Sequence, residues 1–154
     1  TAVTRRFYRE WDEAAYRHYL EVFELDEGKR VNQLSAGMRV KYAIALALSH
    51  RAELLILDEP TSGLDPVARD DLLELFLVLA RREARSILFS THITSDLEKC
   101  ADDITYIKNG TVLASADKDS FYRSFQHLLA PGESGPLTLE EIMVRTERRG
   151  YHDL

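Results

Sequence analysis

A chain of 154 residues, 45% hydrophobic and 30% charged, has the size and composition of one ordinary globular core. A net charge of −6 gives no basic footprint for nucleic acid, and no apolar run is long enough to span a bilayer. The single Cys100 excludes an internal disulfide and fits a reducing compartment, and Thr1–Arg6 has none of the order of a signal peptide.

Phe7, Trp11, Ala15, Tyr19, Val22 and Phe23 recur at helical spacing and predict an amphipathic helix over residues 5–25. Asp26-Glu27-Gly28 reads as its end, with Gly28 in the C-terminal cap. A second helix is predicted from about Met38 to His50, with Ser35 as N-cap. Free N–H groups and the positive end of the helix dipole meet there, which makes an anion site. Tyr42 to Leu48 is apolar nearly all round and reads as deep packing.

Leu54-Leu55-Ile56-Leu57 is a short aliphatic run bounded by turn residues, which predicts a strand buried on both faces of a parallel sheet. Such a strand delivers Asp58 and Glu59 to the carboxyl edge, where ligands of open α/β folds bind. Two adjacent carboxylates there point to a cation and a reacting proton. The first is placed to hold Mg²⁺ and the second to orient or deprotonate a water. Thr61 to Asp65 forms a tight loop, with Asp65 an N-cap and Pro66 in the first turn of a helix reaching about Arg82.

Ser86–Ser90 predicts another short strand, which brings Thr91 and His92 to the same edge. A lone histidine says little, but one at a strand end beside two carboxylates stands at a ligand position. His18, His50, His127 and His152 lack that setting. Thr94 or Ser95 caps a short helix through Cys100. Ile104–Lys108 and Thr111–Ser115 read as a hairpin about Asn109-Gly110. A short helix is predicted over Asp117–Phe125, and Pro131–Pro136 reads as a linker. Thr138 then caps a helix through Arg145. That tail can fold back, meet a partner or stay partly disordered.

Three stretches carry a family resemblance. Leu54–Asp65 resembles the Walker B strand, catalytic glutamate and D-loop of an ATP-binding cassette (ABC) ATPase. Leu34-Ser35-Ala36-Gly37-Met38 resembles the ABC signature, and Ser90-Thr91-His92 the switch histidine. Order and spacing agree over roughly residues 7–116, and the variant looks most like bacterial exporter-type cassettes. The resemblance implies an α/β, P-loop NTPase-like fold: a partial parallel sheet with flanking helices and a remnant of the helical subdomain. It divides the chain into a helical-subdomain part with the signature (1–50), the C-terminal part of the ATPase core (51–116), and a C-terminal helix, linker and tail (117–154).

Roles follow from the same resemblance. Glu59 is implied as general base, His92 as the γ-phosphate contact that holds the attacking water with it, and Asp58 as the Mg²⁺-side carboxylate. Ser35, Ala36 and Gly37 are implied to clamp ATP held mainly by a second subunit, with Asp65 at that dimer interface. ATP and Mg²⁺ are the implied cofactors. A second ATPase subunit and transmembrane permease subunits are the implied partners, which places the chain on the cytoplasmic face of the cell membrane. No nucleic acid is expected. The family commonly has Gly where Ala36 stands and Gln where Met38 stands, so phosphate contacts here rest on Ser35 and backbone.

No Gly-x-x-x-x-Gly-Lys-Ser/Thr occurs in these residues; Gly28-Lys29-Arg30 lacks the leading glycine and the hydroxyl. The chain is therefore expected to be the C-terminal part of an ATPase domain, inactive alone. In the family the P-loop strand lies beside the strand carrying the switch histidine, so the edge of Ile87–Ser90 is expected to be unpaired and prone to self-association or rearrangement. Two other readings stand beside this one. The chain could be a non-catalytic dimerisation and binding module. It could also come from a soluble ABC protein acting on ribosomes or DNA, against which the acidic charge argues.

Overall fold

The first helix begins later than the aromatic spacing predicts. In the computed structural model, which describes residues 3–147, α1 runs Glu13–Val22. Asp12 is extended (φ −107°, ψ 103°) and its Oδ1 accepts the Ala15 N–H at 3.0 Å, so its carboxylate caps the helix and ends the upstream pattern. Phe7 and Trp11 precede the helix, and Thr4–Arg6 forms a separate 3-10 turn. The helix end also differs, because Gly28 takes no part in it. The Glu24 N–H reaches the Glu21 carbonyl at 3.0 Å and the Leu25 N–H reaches Leu20 at 2.8 Å. That is a Schellman end with Glu24, at φ 54°, where glycine is usual. Glu24→Gly is expected to stabilise the chain by about 0.5–1 kcal/mol. It removes roughly 1–2 kcal/mol of left-handed strain and adds about 0.4–1 kcal/mol of unfolded-chain entropy. A higher urea midpoint at unchanged slope checks it.

The described residues form two units, divided between His92 and Ile93, each treated by itself. In the first, α2 spans Ala36–Ser49 and buries Ile44, Ala45 and Leu48. The Asp12 N–H donates to the Ser49 carbonyl at 2.7 Å, tying the start of α1 to the end of α2. The Tyr8 ring stacks flat on His50 with centroids 3.8 Å apart. β1 (Leu54–Asp58) pairs in parallel with β2 (Ser86–Ser90), Asp58 opposite Ser90. α3 (Pro66–Arg82) joins them and buries Leu72, Leu73, Phe76 and Leu79. Phe76 meets Phe89 with ring centroids 5.6 Å apart, so α3 covers one face of the pair.

The other face is open. Leu55 is buried, but Ile56 is 70% exposed and its cross-strand neighbour Leu88 60%. The expectation of a strand buried on both faces is corrected here: these residues supply a helix to only one side of the sheet. Strand identity and parallel pairing agree with the sequence.

The second unit is an antiparallel hairpin with helices against it. α4 (Thr94–Cys100) starts after Ile93 without a side-chain cap, so neither Thr94 nor Ser95 caps it. β3 (Asp103–Lys108) and β4 (Thr111–Asp117) turn at Asn109 and Gly110, both left-handed at φ 50° and 75°. That is the backbone this two-residue turn requires. Asp117 caps α5 (Lys118–Ser124). α6 (Leu139–Glu147) opens on a reciprocal capping box between Thr138 and Glu141. Ile104, Phe121, Phe125, Leu137, Leu139 and Ile142 make the core of this unit.

Of the three fates open to the tail, its described residues fold back. Arg145 binds Glu133 through two hydrogen bonds, 2.6 and 3.1 Å, and also donates to the Leu128 carbonyl at 2.9 Å. The Pro131–Pro136 stretch is thereby a pinned loop. Residues 148–154 lie outside the described residues. The Arg145 hydrogen bonds hold the Glu133 carboxyl below its usual range, and the Thr138 N–H and hydroxyl do the same for Glu141. A depressed carboxyl stabilises the fold above its unfolded pKa and loses that contribution as pH falls through the folded value. The protection factors of the amides over residues 129–147, each taken relative to the intrinsic exchange rate at that pH, are therefore expected to fall below about pH 4, in the range of unperturbed carboxylates. They should hold steady between pH 5 and 7.

Candidate functional site

The two parallel strands end together, so whatever follows Asp58 and Ser90 leaves the sheet at one edge. The chain turns at once after Asp58. Glu59 sits at φ 46°, a left-handed value that costs a residue with a side chain about 1–3 kcal/mol. Pro60 and Thr61 are buried beyond it, and the Ser62 N–H donates to the Glu59 carbonyl at 3.1 Å. Gly63 (φ 70°) lets the loop reverse into Leu64.

Four polar groups form one bonded cluster at this edge. The Glu59 N–H donates to the Ser90 carbonyl at 3.2 Å and to Ser90 Oγ at 3.0 Å. The Ser90 hydroxyl donates to Asp58 Oδ1 at 2.5 Å. His92 Nδ1 lies 3.0 Å from Glu59 Oε1 and 2.9 Å from Oε2, between the two oxygens. The imidazole is 70% exposed and the Glu59 side chain 37%. An ionised carboxylate only accepts, so the Nδ1 proton faces Glu59. Nε2 then accepts in the neutral ring and donates when the ring is charged. Contact with both Glu59 and an anion therefore requires the imidazolium.

The same cluster limits what Asp58 can offer. Ser90 donates to Oδ1, so Oδ2 is the less engaged oxygen for a cation. Among the described residues no three His, Cys, Asp or Glu are grouped to hold a metal. A single carboxylate oxygen suits Mg²⁺, which takes one or two carboxylates and completes its octahedron with waters and phosphate oxygens. The donors fit such an ion.

The caps of α2 and α3 are the residues the sequence predicts. Ser35 Oγ accepts the Met38 N–H at 3.2 Å, and Ala36 and Gly37 open the first turn of the 14-residue α2. A Cβ on Gly37 would lie 3.6 Å from Leu64 and 3.7 Å from Ala68, so this turn rests on the loop leading into α3. Asp65 Oδ1 accepts from Val67 and Ala68, both at 3.0 Å, and caps α3 above Pro66. The structure thus bonds Asp58, Glu59 and His92 into one cluster and sets Ser35–Gly37 against Leu64. The Ser35 and Asp65 oxygens are engaged in their caps. Ser90 is the site residue that motif reading passed over; the parallel register opposite Asp58 is the signal for it.

The parallel pair bordered by helices matches solved ATP-binding cassettes, which gives the chain the P-loop NTPase class of α/β fold. Residues 3–95 match the family described as "AAA domain, putative AbiEii toxin, Type IV TA system". The chain belongs to this AAA-domain family, and its relatives are ABC transporter ATP-binding proteins. It is 34% identical over 121 residues to the energy-coupling factor transporter ATP-binding protein EcfA2 of Halalkalibacterium halodurans, covering 79% of this chain and 43% of that one. It is 38% identical over 96 residues to the ABC transporter ATP-binding protein NatA of Bacillus subtilis, covering 62% and 39%. Among solved structures, the dimeric ATP-binding cassette MJ0796 bound to ADP and Pi has a TM-score of 0.58 at 26% identity, over 68% of this chain and 46% of that one. The chain spans less than half the length of each.

Proposed function

We propose that this chain supplies the hydrolytic edge of an ABC transporter ATPase subunit, which binds and hydrolyses ATP to power transport across a membrane. The observation that carries this reading is the His92–Glu59 pair at the shared end of β1 and β2, 2.9–3.0 Å apart. In this reading Glu59 is the general base that takes the proton of the attacking water. His92 holds Glu59 in place through Nδ1 and, once charged, meets phosphate through Nε2. Asp58 would hold Mg²⁺, which when bound would supply charge neutralisation of the phosphate oxygens. Ser35, Ala36 and Gly37 present the start of α2 to nucleotide held by a second subunit, and Asp65 keeps the adjoining start of α3 in register.

The partners are a second ATPase subunit and membrane permease subunits, and the working place is the cytoplasmic face of the membrane. Residues 1–50, 51–116 and 117–154 serve respectively as signature-bearing helical part, hydrolytic core and C-terminal support. Another segment provides the P-loop, because these 154 residues contain none. The absence of any helix long and apolar enough to cross a membrane, among the described residues, is compatible with separate permeases.

The test is Mg·ATP hydrolysis by this chain alone and by the chain joined to a P-loop-bearing half, each with Glu59→Gln as control. Turnover is expected only in the joined protein and only with Glu59. Turnover by the chain alone would overturn the division of labour.

A further inference from the structure

We propose that Ser90 is a positioning residue for this site: its hydroxyl fixes the Asp58 carboxylate through Oδ1 and holds Glu59 in its left-handed turn. The proposal deepens the reading of Asp58 as the Mg²⁺-side carboxylate and rests on it. A serine hydroxyl has one proton and two lone pairs. The Glu59 N–H, 3.0 Å away, takes a lone pair, and the carboxylate of Asp58 at 2.5 Å can only accept, so the proton points at Oδ1. This bond is charge-assisted, and it fixes the orientation of the carboxylate, with Oδ2 the less engaged oxygen. Binding through one oxygen of a carboxylate so fixed suits Mg²⁺, whereas Ca²⁺ gains from bidentate carboxylates.

The backbone side of the bridge matters equally. Glu59 stays at φ 46° only if its surroundings fix it, and both acceptors of its N–H, the Ser90 carbonyl and the Ser90 hydroxyl, come from one residue. The parallel register puts Ser90 there by pairing it with Asp58. One hydroxyl therefore sets the metal face of one carboxylate and the direction of its neighbour.

Ser90→Ala, Ser90→Thr and Asp58→Asn test this with two readouts. In the 154-residue chain, hydrogen exchange of the Glu59 amide followed by NMR is expected to quicken about three- to tenfold in Ser90→Ala. Ser90→Thr, which keeps the hydroxyl, is expected to stay close to the parent. In the chain joined to a P-loop-bearing half with ATP present, bound Mn²⁺ is counted by electron paramagnetic resonance. Ser90→Ala is expected to raise the half-saturating Mn²⁺ concentration about 10- to 100-fold. Ca²⁺ should compete better in that variant, and Ser90→Thr should restore the parent midpoint.

A shift in Asp58→Asn with none in Ser90→Ala would overturn the role of Ser90 and leave the reading of Asp58 standing. No shift in Asp58→Asn would overturn that reading and the proposal with it. Lower stability of Ser90→Ala at an unmoved Mn²⁺ midpoint would mark the serine as merely structural and also overturn the proposal. Should Ser90→Ala fail to fold, Ser90→Cys, with a weaker donor of similar size, carries the same comparison.

Discussion

Replacing Glu59 by glutamine, in the chain joined to a P-loop-bearing half, is expected to lower ATP turnover by about 10²–10⁴-fold while nucleotide binding persists. The substitution keeps the shape of the side chain and removes its ability to accept a proton. It also keeps most of the surroundings. The Glu59 N–H still has both Ser90 acceptors, and a glutamine oxygen can still receive the His92 Nδ1 proton. The left-handed backbone at φ 46° costs glutamine as much as glutamate, so stability should barely move. His92→Ala is expected to fall in the same direction and to add little when combined with Glu59→Gln, because groups that act as one unit are not additive. Glu59→Gln retaining more than about a tenth of parent turnover would remove Glu59 from the base role, since general base catalysis contributes at least about a hundredfold. A collapse of urea stability in that variant would instead signal that the Ser90 bridge had been disturbed.

The sequence carried the site's chemistry further than its geometry. Asp58, Glu59 and His92 were legible because an aliphatic run ending in polar residues marks a parallel strand and its carboxyl edge, and two such runs bring their ends together. Ser35 and Asp65 were legible as caps because capping is local. The left-handed turn at Glu59 was not, since nothing in the residue type favours it and the Ser90 contact that holds it comes from 31 residues away. The start of α1 was misplaced for a related reason. Phe7 and Trp11 continue the helical spacing perfectly well, and only the bond from Ala15 to Asp12 decides where the helix begins. A glycine-seeking rule then put the end at Gly28, although Glu24 accepts the left-handed position four residues earlier. The C-terminal loop looked like a linker by composition because the bond from Arg145 to Glu133 is invisible to composition.

The open sheet face sets the second large effect. Ile56 and Leu88 are cross-strand neighbours, 70% and 60% exposed, and Leu54 beside them is 52% exposed. Parallel strands are normally covered on both faces, and here α3 covers one, through Phe76 against Phe89. Burying an aliphatic side chain of this size is worth about 1.5–3 kcal/mol, so joining two such faces offers a strong drive to associate. The chain alone is expected to self-associate at high concentration, seen as a rising mass in sedimentation. Ile56→Lys with Leu88→Glu should weaken that association by more than about a hundredfold, at the 1.4 kcal/mol per tenfold that affinity obeys. The opposite charges face each other across the strands, so the pair should not be pushed apart by the change. A parent chain that stays monomeric, or association untouched by the double substitution, would show that the face is not sticky. Joining a P-loop-bearing half should remove the self-association without any substitution. The hydrophobic drive that makes the open face associate is the same drive that would seat the rest of a nucleotide-binding core against β1 and β2.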